Sequence, residues 1–162
     1  MSKEAVIAHL ARWGKSEKDI IDCGDSTATV ALAAAAIGVE QDRIAKSLAI
    51  YHAEGAVIVV AAGGAKLDNR KFKDQFGYKP RMLSGEDTLR LTSHAPGGVC
   101  PFALPAGVDV YLDVSLRQFE SVFPACGTPT SAIELTQTEL EACSLSKGWV
   151  DVCKEQADKI EA

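Results

Sequence analysis

The sequence predicts a mixed α/β fold, a curved or barrel-like sheet flanked by helices, in a single domain spanning residues 1–162. Three observations carry this. Seven or so short β-patterned runs alternate irregularly with helical ones, which breaks the regular β-α-β order of a doubly wound sheet. The 162 residues are 47% hydrophobic, with no composition shift or linker, enough for one buried core. The longest apolar stretch, Val30 to Val39, is alanine-rich, contains Gly38 and is too short to span a bilayer. It reads instead as a helix packed closely on a sheet.

The elements follow in order. Ser2 to Arg12 is a helix with Val6, Leu10 and Trp13 on one face and Gly14 as its stop. Ile20 to Cys23 is a short strand. Asp25 or Ser26 caps the alanine-rich helix, which ends at Ile37-Gly38. Ile44 to Tyr51 and Ala56 to Ala61 are adjacent strands joined by the turn His52-Ala53-Glu54-Gly55. Lys66 to Phe76 is an amphipathic helix with Leu67, Phe72 and Phe76 inward. Arg81-Met82-Leu83 is a short strand, and Ser84-Gly85-Glu86-Asp87 has the form of a capping box opening a helix toward Thr92. Val108 to Leu112 is a strand and Val114 to Phe119 a helical turn. Ser121 to Ala125 and Ser131 to Leu135 are two more strands, and Thr136 to Glu139 caps a last helix to about Cys143. The tail from Gly148 carries no clear pattern.

Composition excludes several function classes. Five cysteines without a C-x-x-C pair argue against a disulfide framework and a structural zinc site. His9, His52 and His94 stand apart, in no metal-ligand pattern, so neither metal nor cofactor is expected. The N-terminus lacks a signal-peptide layout, which implies a cytoplasmic location and no membrane partner. A net charge of −5 argues against a broad grip on nucleic acid. One region departs from that average: Lys66 to Arg81 holds six basic residues against two acidic ones. It is either a solvated helix face or a phosphate-binding patch, with Lys66 and Arg70 the candidate contacts.

Two segments carry the candidate chemistry. The first is Ala95-Pro96-Gly97-Gly98-Val99-Cys100-Pro101-Phe102-Ala103-Leu104, a Gly/Pro loop set in apolar sequence. Loops normally run through water, so Val99, Phe102 and Leu104 predict one packed inward. Any main-chain groups that such a loop leaves unpaired become fixed dipoles aimed into a pocket. The second is the strand Ile44 to Ile50, whose period of two puts Lys46 on an apolar face with Ile44, Leu48 and Ile50. Its ammonium either snorkels to water or meets an anionic ligand in a cleft.

Ala45-Lys46-Ser47-Leu48, Lys66-Leu67-Asp68, Gly97-Gly98-Val99-Cys100-Pro101-Phe102 and Gly127-Thr128-Pro129-Thr130-Ser131-Ala132 together resemble the YbaK/prolyl-tRNA-synthetase-associated editing family. Each motif alone is common; the four in this order, across about residues 27–140, are specific. The resemblance implies a trans-editing deacylase that hydrolyses the ester of mischarged tRNA, typically tRNA(Pro) carrying a small wrong amino acid. Its partners would be the 3′ aminoacyl end and prolyl-tRNA synthetase; the oligomeric state is left open. The resemblance assigns Lys46 to the terminal adenosine and its phosphate, and the Gly97–Pro101 main chain, with Gly98, to shaping the pocket and placing water. The substrate's 2′-hydroxyl assists. Val99, Cys100, Phe102, Gly127, Thr128, Thr130 and Ser131 are then candidate substrate contacts, though the hydroxyls equally suit turn hydrogen bonds. Such catalysis works by positioning and electrostatics, without a nucleophilic side chain.

Two positions depart from the family pattern. Cys100 stands where many relatives carry serine; as a nucleophile it would need a base, and His94 is the one neighbour in sequence. The competing reading is a small buried residue in a tight loop. Pro129 stands where the alanine-specific branch has histidine, which leaves strict alanine specificity in doubt. His94 and Asp113 lie outside the matched motifs and are not assigned acid–base roles. A non-catalytic module that binds aminoacyl-tRNA or a synthetase is the alternative class, and a thiol enzyme built on Cys100 is a third.

Overall fold

The computed structural model describes residues 2–24 and 29–154, and its centre is the hairpin of β2 (Ile44–His52) and β3 (Gly55–Ala62). The two strands pair antiparallel along their whole length across a two-residue turn, with Ala53 at φ 51°. Every β3 residue from Ala56 to Ala62 is buried, as expected of a strand with both faces covered. Around the hairpin runs a curled, six-stranded half-barrel sheet in the order β7-β5-β2-β3-β4-β8. β4 (Asp109–Asp113) is parallel to β3, and β8 (Trp149–Val150) parallel to β4. β5 (Ser121–Pro124) is parallel to β2 and pairs antiparallel with β7 (Leu135–Thr136). A separate small sheet pairs β1 (Ile20–Asp22) with β6 (Ser131–Ile133). The mixed α/β, curved-sheet expectation holds.

The pleat sorts the core. Ile58 and Val60 point to one face, against Val6 and Leu10 of α1 (Ser2–Ala11), Leu140 of α5 (Gln137–Cys143), Cys100 and Phe102. Val57 and Val59 point to the other, against Ile50, Val152 and the fully buried Phe72 of α3 (Asn69–Phe76). Removing a phenylalanine side chain from water contributes about 2–3 kcal/mol, so Phe72 is the main anchor of that helix.

Helix ends follow local chemistry. α2 (Val30–Ile37) is capped by the Thr29 side chain, which accepts from Leu32 N–H, and stops at Gly38 in the left-handed region, φ 86°. Asp25 and Ser26, the expected caps, lie outside the described residues. α3 starts three residues later than expected: Asp68 accepts from the N–H groups of Arg70 and Lys71 and sets the first turn, so Lys66 and Leu67 precede the helix. Ser84 caps α4 (Gly85–Thr92), and Thr136 with Glu139 forms a reciprocal capping box on α5. Arg81–Leu83 is not a full strand but a single bridge, Met82 to Ile50. β6 and β7 split the expected Ser131–Leu135 strand.

The tail pattern missed in the sequence is set by Asp113. Its buried carboxylate accepts from Ser115 N–H at 2.9 Å and from Val152 N–H at 2.8 Å, tying the segment after β8 to the end of β4. Asp113 is thus a structural clamp. Asp113→Ala leaves both N–H groups without their charged acceptor and should cost about 3 kcal/mol of stability. A urea denaturation midpoint indistinguishable from wild type would refute the clamp.

Candidate functional site

A cavity of about 200 Å³ opens where β5 leaves β2. The two strands are in register only at Ile44–Phe123 and Ala45–Pro124; Ala125 then turns away to bridge Ala132. The space left is walled by Ile44 to Ser47 of β2, by Thr29, Val30 and Ala33 of α2, by Phe123, Ala125, Ser131 and Ala132, and by Gly97 and Val99. Most of this wall is aliphatic, with small side chains from α2 and β6. Arg43 fixes the Phe123 side: its guanidinium lies 5.1 Å from that ring centre and donates to Ser121 Oγ at 2.7 Å and to Glu134 at 3.2 Å.

Two glycine loops form one end of the cavity by touching main chain to main chain. Gly97 sits at φ 88° and Gly127 at φ 90°, both in the region that favours glycine. Gly98 N–H closes a turn on Ala95 O at 2.9 Å. A Cβ at Gly98 would stand 2.8 Å from Gly127 O and 2.9 Å from Gly127 C, so no side chain fits there without moving backbone. Gly97 and Val99 then face the cavity while Cys100, Pro101 and Phe102 turn away from it and are buried.

That orientation decides what Cys100 and Phe102 can do. Both are fully buried in the core and neither lines the cavity. They support the loop from behind, packed in the core and away from the cavity lining. Cys100 Sγ lies 3.5 Å from His94 Nε2, but burial pushes the thiol up to about 12. His94 is itself buried, its Nε2 2.7 Å from Phe102 O, and desolvation lowers its pKa. This pair is an enclosed, neutral packing unit. His94 follows α4, which ends at Thr92 with Ser93 as its cap, and its ring is turned inward.

Lys46 lines the cavity with its ammonium half-buried. It donates to Gly63 O at 3.2 Å and to Ala65 O. The 63–65 segment is docked firmly enough to serve as that acceptor. Gly64 N–H donates to Asp42 Oδ1 at 2.8 Å, and a Cβ at Gly63 would stand 2.1 Å from Gln41 O. Burial lowers the Lys46 pKa. An ammonium has three protons to donate, and the two carbonyls take two. Sequence reading missed this carbonyl cradle, although the Gly63-Gly64 pair was its visible signal.

The hydroxyl turn is assembled as a unit. Thr128 Oγ1 lies 2.6 Å from Ser131 Oγ and 3.4 Å from Thr130 Oγ1. Ser131 reaches the cavity wall; Thr128 and Thr130 hold it in place and do not line the cavity. Lys66 and Arg70 also lie outside the lining, exposed at the start of α3. The rest of the basic segment is dispersed. Lys71 pairs with Asp151 at 3.3 Å, and Arg81 stacks 4.2 Å over Tyr51. The cavity walls from α2, Phe123 and Ala125 were not anticipated, since apolar side chains give no chemical signal in sequence. Among the described residues, no cluster of His, Cys, Asp or Glu is arranged to hold a metal ion, and no helix is long and apolar enough to cross a membrane.

Residues 25–143 match the family model described as the aminoacyl-tRNA editing domain. The uncharacterized protein YwhH of Bacillus subtilis (strain 168) is 51% identical over 157 residues, 96% of this chain and 99% of that protein. Among solved structures, a candidate trans-editing enzyme for prolyl tRNA synthetase superposes with a TM-score of 0.84 at 30% identity, covering 95% of this chain and 98% of that one. The hypothetical protein APE2540 gives 0.82 at 27% identity, covering 93% and 99%. With two glycine loops and a strand lysine around one small cavity, and a family match over most of its length, the chain belongs to the aminoacyl-tRNA editing domain family.

Proposed function

We propose that this protein is a trans-editing deacylase that hydrolyses the ester of mischarged tRNA, with tRNA(Pro) carrying a small wrong amino acid as the first substrate to test. The observation that carries this reading is the cavity itself. It measures about 200 Å³, is walled largely by aliphatic groups, and is bounded by Lys46 and by main chain. A cavity of roughly 150 Å³ accommodates benzene, so the space suits an aminoacyl group and leaves the nucleotide outside.

In the proposed reaction water adds to the acyl carbonyl carbon, and the ester C–O bond then breaks. The products are the free amino acid and a tRNA with its 3′-oxygen protonated. The ester is already activated, so orienting water and stabilising charge on the carbonyl oxygen suffice. Main-chain groups of the Gly97–Pro101 loop supply the positioning, and the 2′-hydroxyl of the substrate relays the proton. Lys46, tethered by Gly63 and Ala65, uses its remaining proton on the phosphate or ribose of the terminal adenosine. Lys66 and Arg70 extend the contact to the acceptor stem. We place this activity in the cytoplasm, with prolyl-tRNA synthetase as the protein that releases the substrate.

The decisive experiment is deacylation of a panel of tRNAs bearing Ala, Cys, Ser, Thr and small non-protein amino acids, on tRNA(Pro) and on others. Cleavage of at least one supports the reading. Binding without any cleavage would instead make the protein a capture module. Lys46→Ala should lower kcat/KM by about 100-fold or more, the scale of losing one charge-stabilising group, with little change in Tm; full activity in that variant would remove Lys46 from the mechanism. Cys100→Ser should lose about 1–2 kcal/mol of stability, because a hydroxyl is buried in place of a thiol, yet retain most of its activity. Complete loss of activity in a folded Cys100→Ser protein would restore the thiol mechanism.

A further inference from the structure

Among the described residues, the outer edge of β2 has a short gap centred on Ser47, and Ser47 lines the cavity. In an antiparallel hairpin alternate residues direct their N–H and C=O to the partner strand and the others away from it. Counting from His52 opposite Gly55 at the two-residue turn, Ile50, Leu48 and Lys46 bond inward to β3, and Tyr51, Ala49, Ser47 and Ala45 face outward. The outward groups find partners at both ends. Tyr51 N–H donates to Arg81 O at 2.9 Å, and Ala49 O accepts from Leu83 N–H at 3.0 Å. Ala45 pairs with β5 opposite Pro124.

Ser47 lies between these two closures. Among the described residues nothing bonds to its outward N–H or C=O. Its hydroxyl oxygen is shielded and has no partner among the described residues, whereas the residue as a whole is only partly buried and lines the cavity. With its hydroxyl shielded, the polar groups that Ser47 can offer to the cavity are its main-chain N–H and C=O.

One open position on a strand edge complements the nitrogen and the carbonyl of one amino acid, as in a hydrogen-bonded pair of an antiparallel ladder. A peptide strand would need several such positions in a row, and β5 and Leu83 close the edge on either side. An aminoacyl ester presents one ammonium and one acyl carbonyl. We infer that Ser47 is the main-chain docking point of the aminoacyl group: its C=O accepts from the α-ammonium and its N–H donates to the acyl carbonyl oxygen. This rests on the deacylase reading above and deepens it. The same N–H meets the oxygen on which negative charge develops when water adds, and the C=O selects esters of α-amino acids over plain acyl esters.

The test uses the ¹⁵N-labelled protein with a non-hydrolysable 3′-aminoacylamino-3′-deoxyadenosine. On binding, the Ser47 amide should shift downfield and its hydrogen exchange should slow by about tenfold or more. In parallel, the acceleration over spontaneous hydrolysis measured for a cleaved aminoacyl-tRNA should fall by about tenfold or more for its deamino acyl counterpart. If the amides of Val99 and Ala132 respond to the analogue and Ser47 does not, or if the deamino ester is accelerated equally, the docking is overturned and the deacylase reading stands. Failure of the analogue to shift any amide also overturns the docking. Absence of cleavage for every mischarged tRNA overturns both.

Discussion

The contact between Gly98 and Gly127 is the constraint on which the cavity depends. Two loops nearly thirty residues apart in sequence meet with no side chain between them, because a Cβ at Gly98 would lie 2.8 Å from Gly127 O. This close approach sets the direction of everything attached to either loop. On one side Gly97 and Val99 are delivered to the cavity, and Cys100 and Phe102 are driven into the core beneath α1. On the other, Thr128 is held where it can hydrogen-bond Ser131, which stands at the start of β6. A larger residue at position 98 would separate the loops and enlarge the space at the price of its shape.

The second wall rests on a similar economy of side chains. β2 and β5 part after Ala45, and the space between them stays open because α2 covers it with alanine and valine instead of larger groups. Lys46 marks the polar end of this opening. Its tether to Gly63 and Ala65 orders a long, flexible side chain before any ligand arrives, and so reduces the rotamer entropy that binding would otherwise cost. Desolvation lowers its pKa without a facing carboxylate as the leading influence. A partly desolvated ammonium gains more from a phosphate than an exposed one does, since less water screens the pair.

The sequence was informative where pattern and local chemistry decide structure. The β2–β3 hairpin, the inward-packed glycine loop, the Ser84 and Thr136 caps and the position of Lys46 on a mostly apolar strand could all be read from residue type and spacing. What escaped was set by long-range pairing. The short β8 strand exists because Asp113, thirty-nine residues upstream of Val152, holds the tail, and no local pattern records that bond. The start of α3 moved because Asp68 is a stronger cap than the apolar periodicity around Leu67 is a helix signal. Cys100 and Phe102 sat correctly within a motif, but motif membership does not say which way a side chain turns. The apolar cavity walls carried no signal because alanine and valine look alike in a wall and in a core.

The buried groups lead to one consequence for the chemistry. Side chains that an active-site search would select first, Cys100 with His94 and the carboxylate of Asp113, are all enclosed, and each has a packing or clamping partner. Among the described residues, the groups left facing the cavity are an ammonium, small hydroxyls, apolar walls and main chain. This set offers no strong nucleophile and no general base among the described residues, and it suits substrates whose reacting bond is already activated. It is well suited to recognition by shape and by fixed dipoles, which need no reorganisation as charge develops. The proposed deacylase makes use of that arrangement: its selectivity would follow from which aminoacyl groups fit a small cavity, with inert esters left uncleaved.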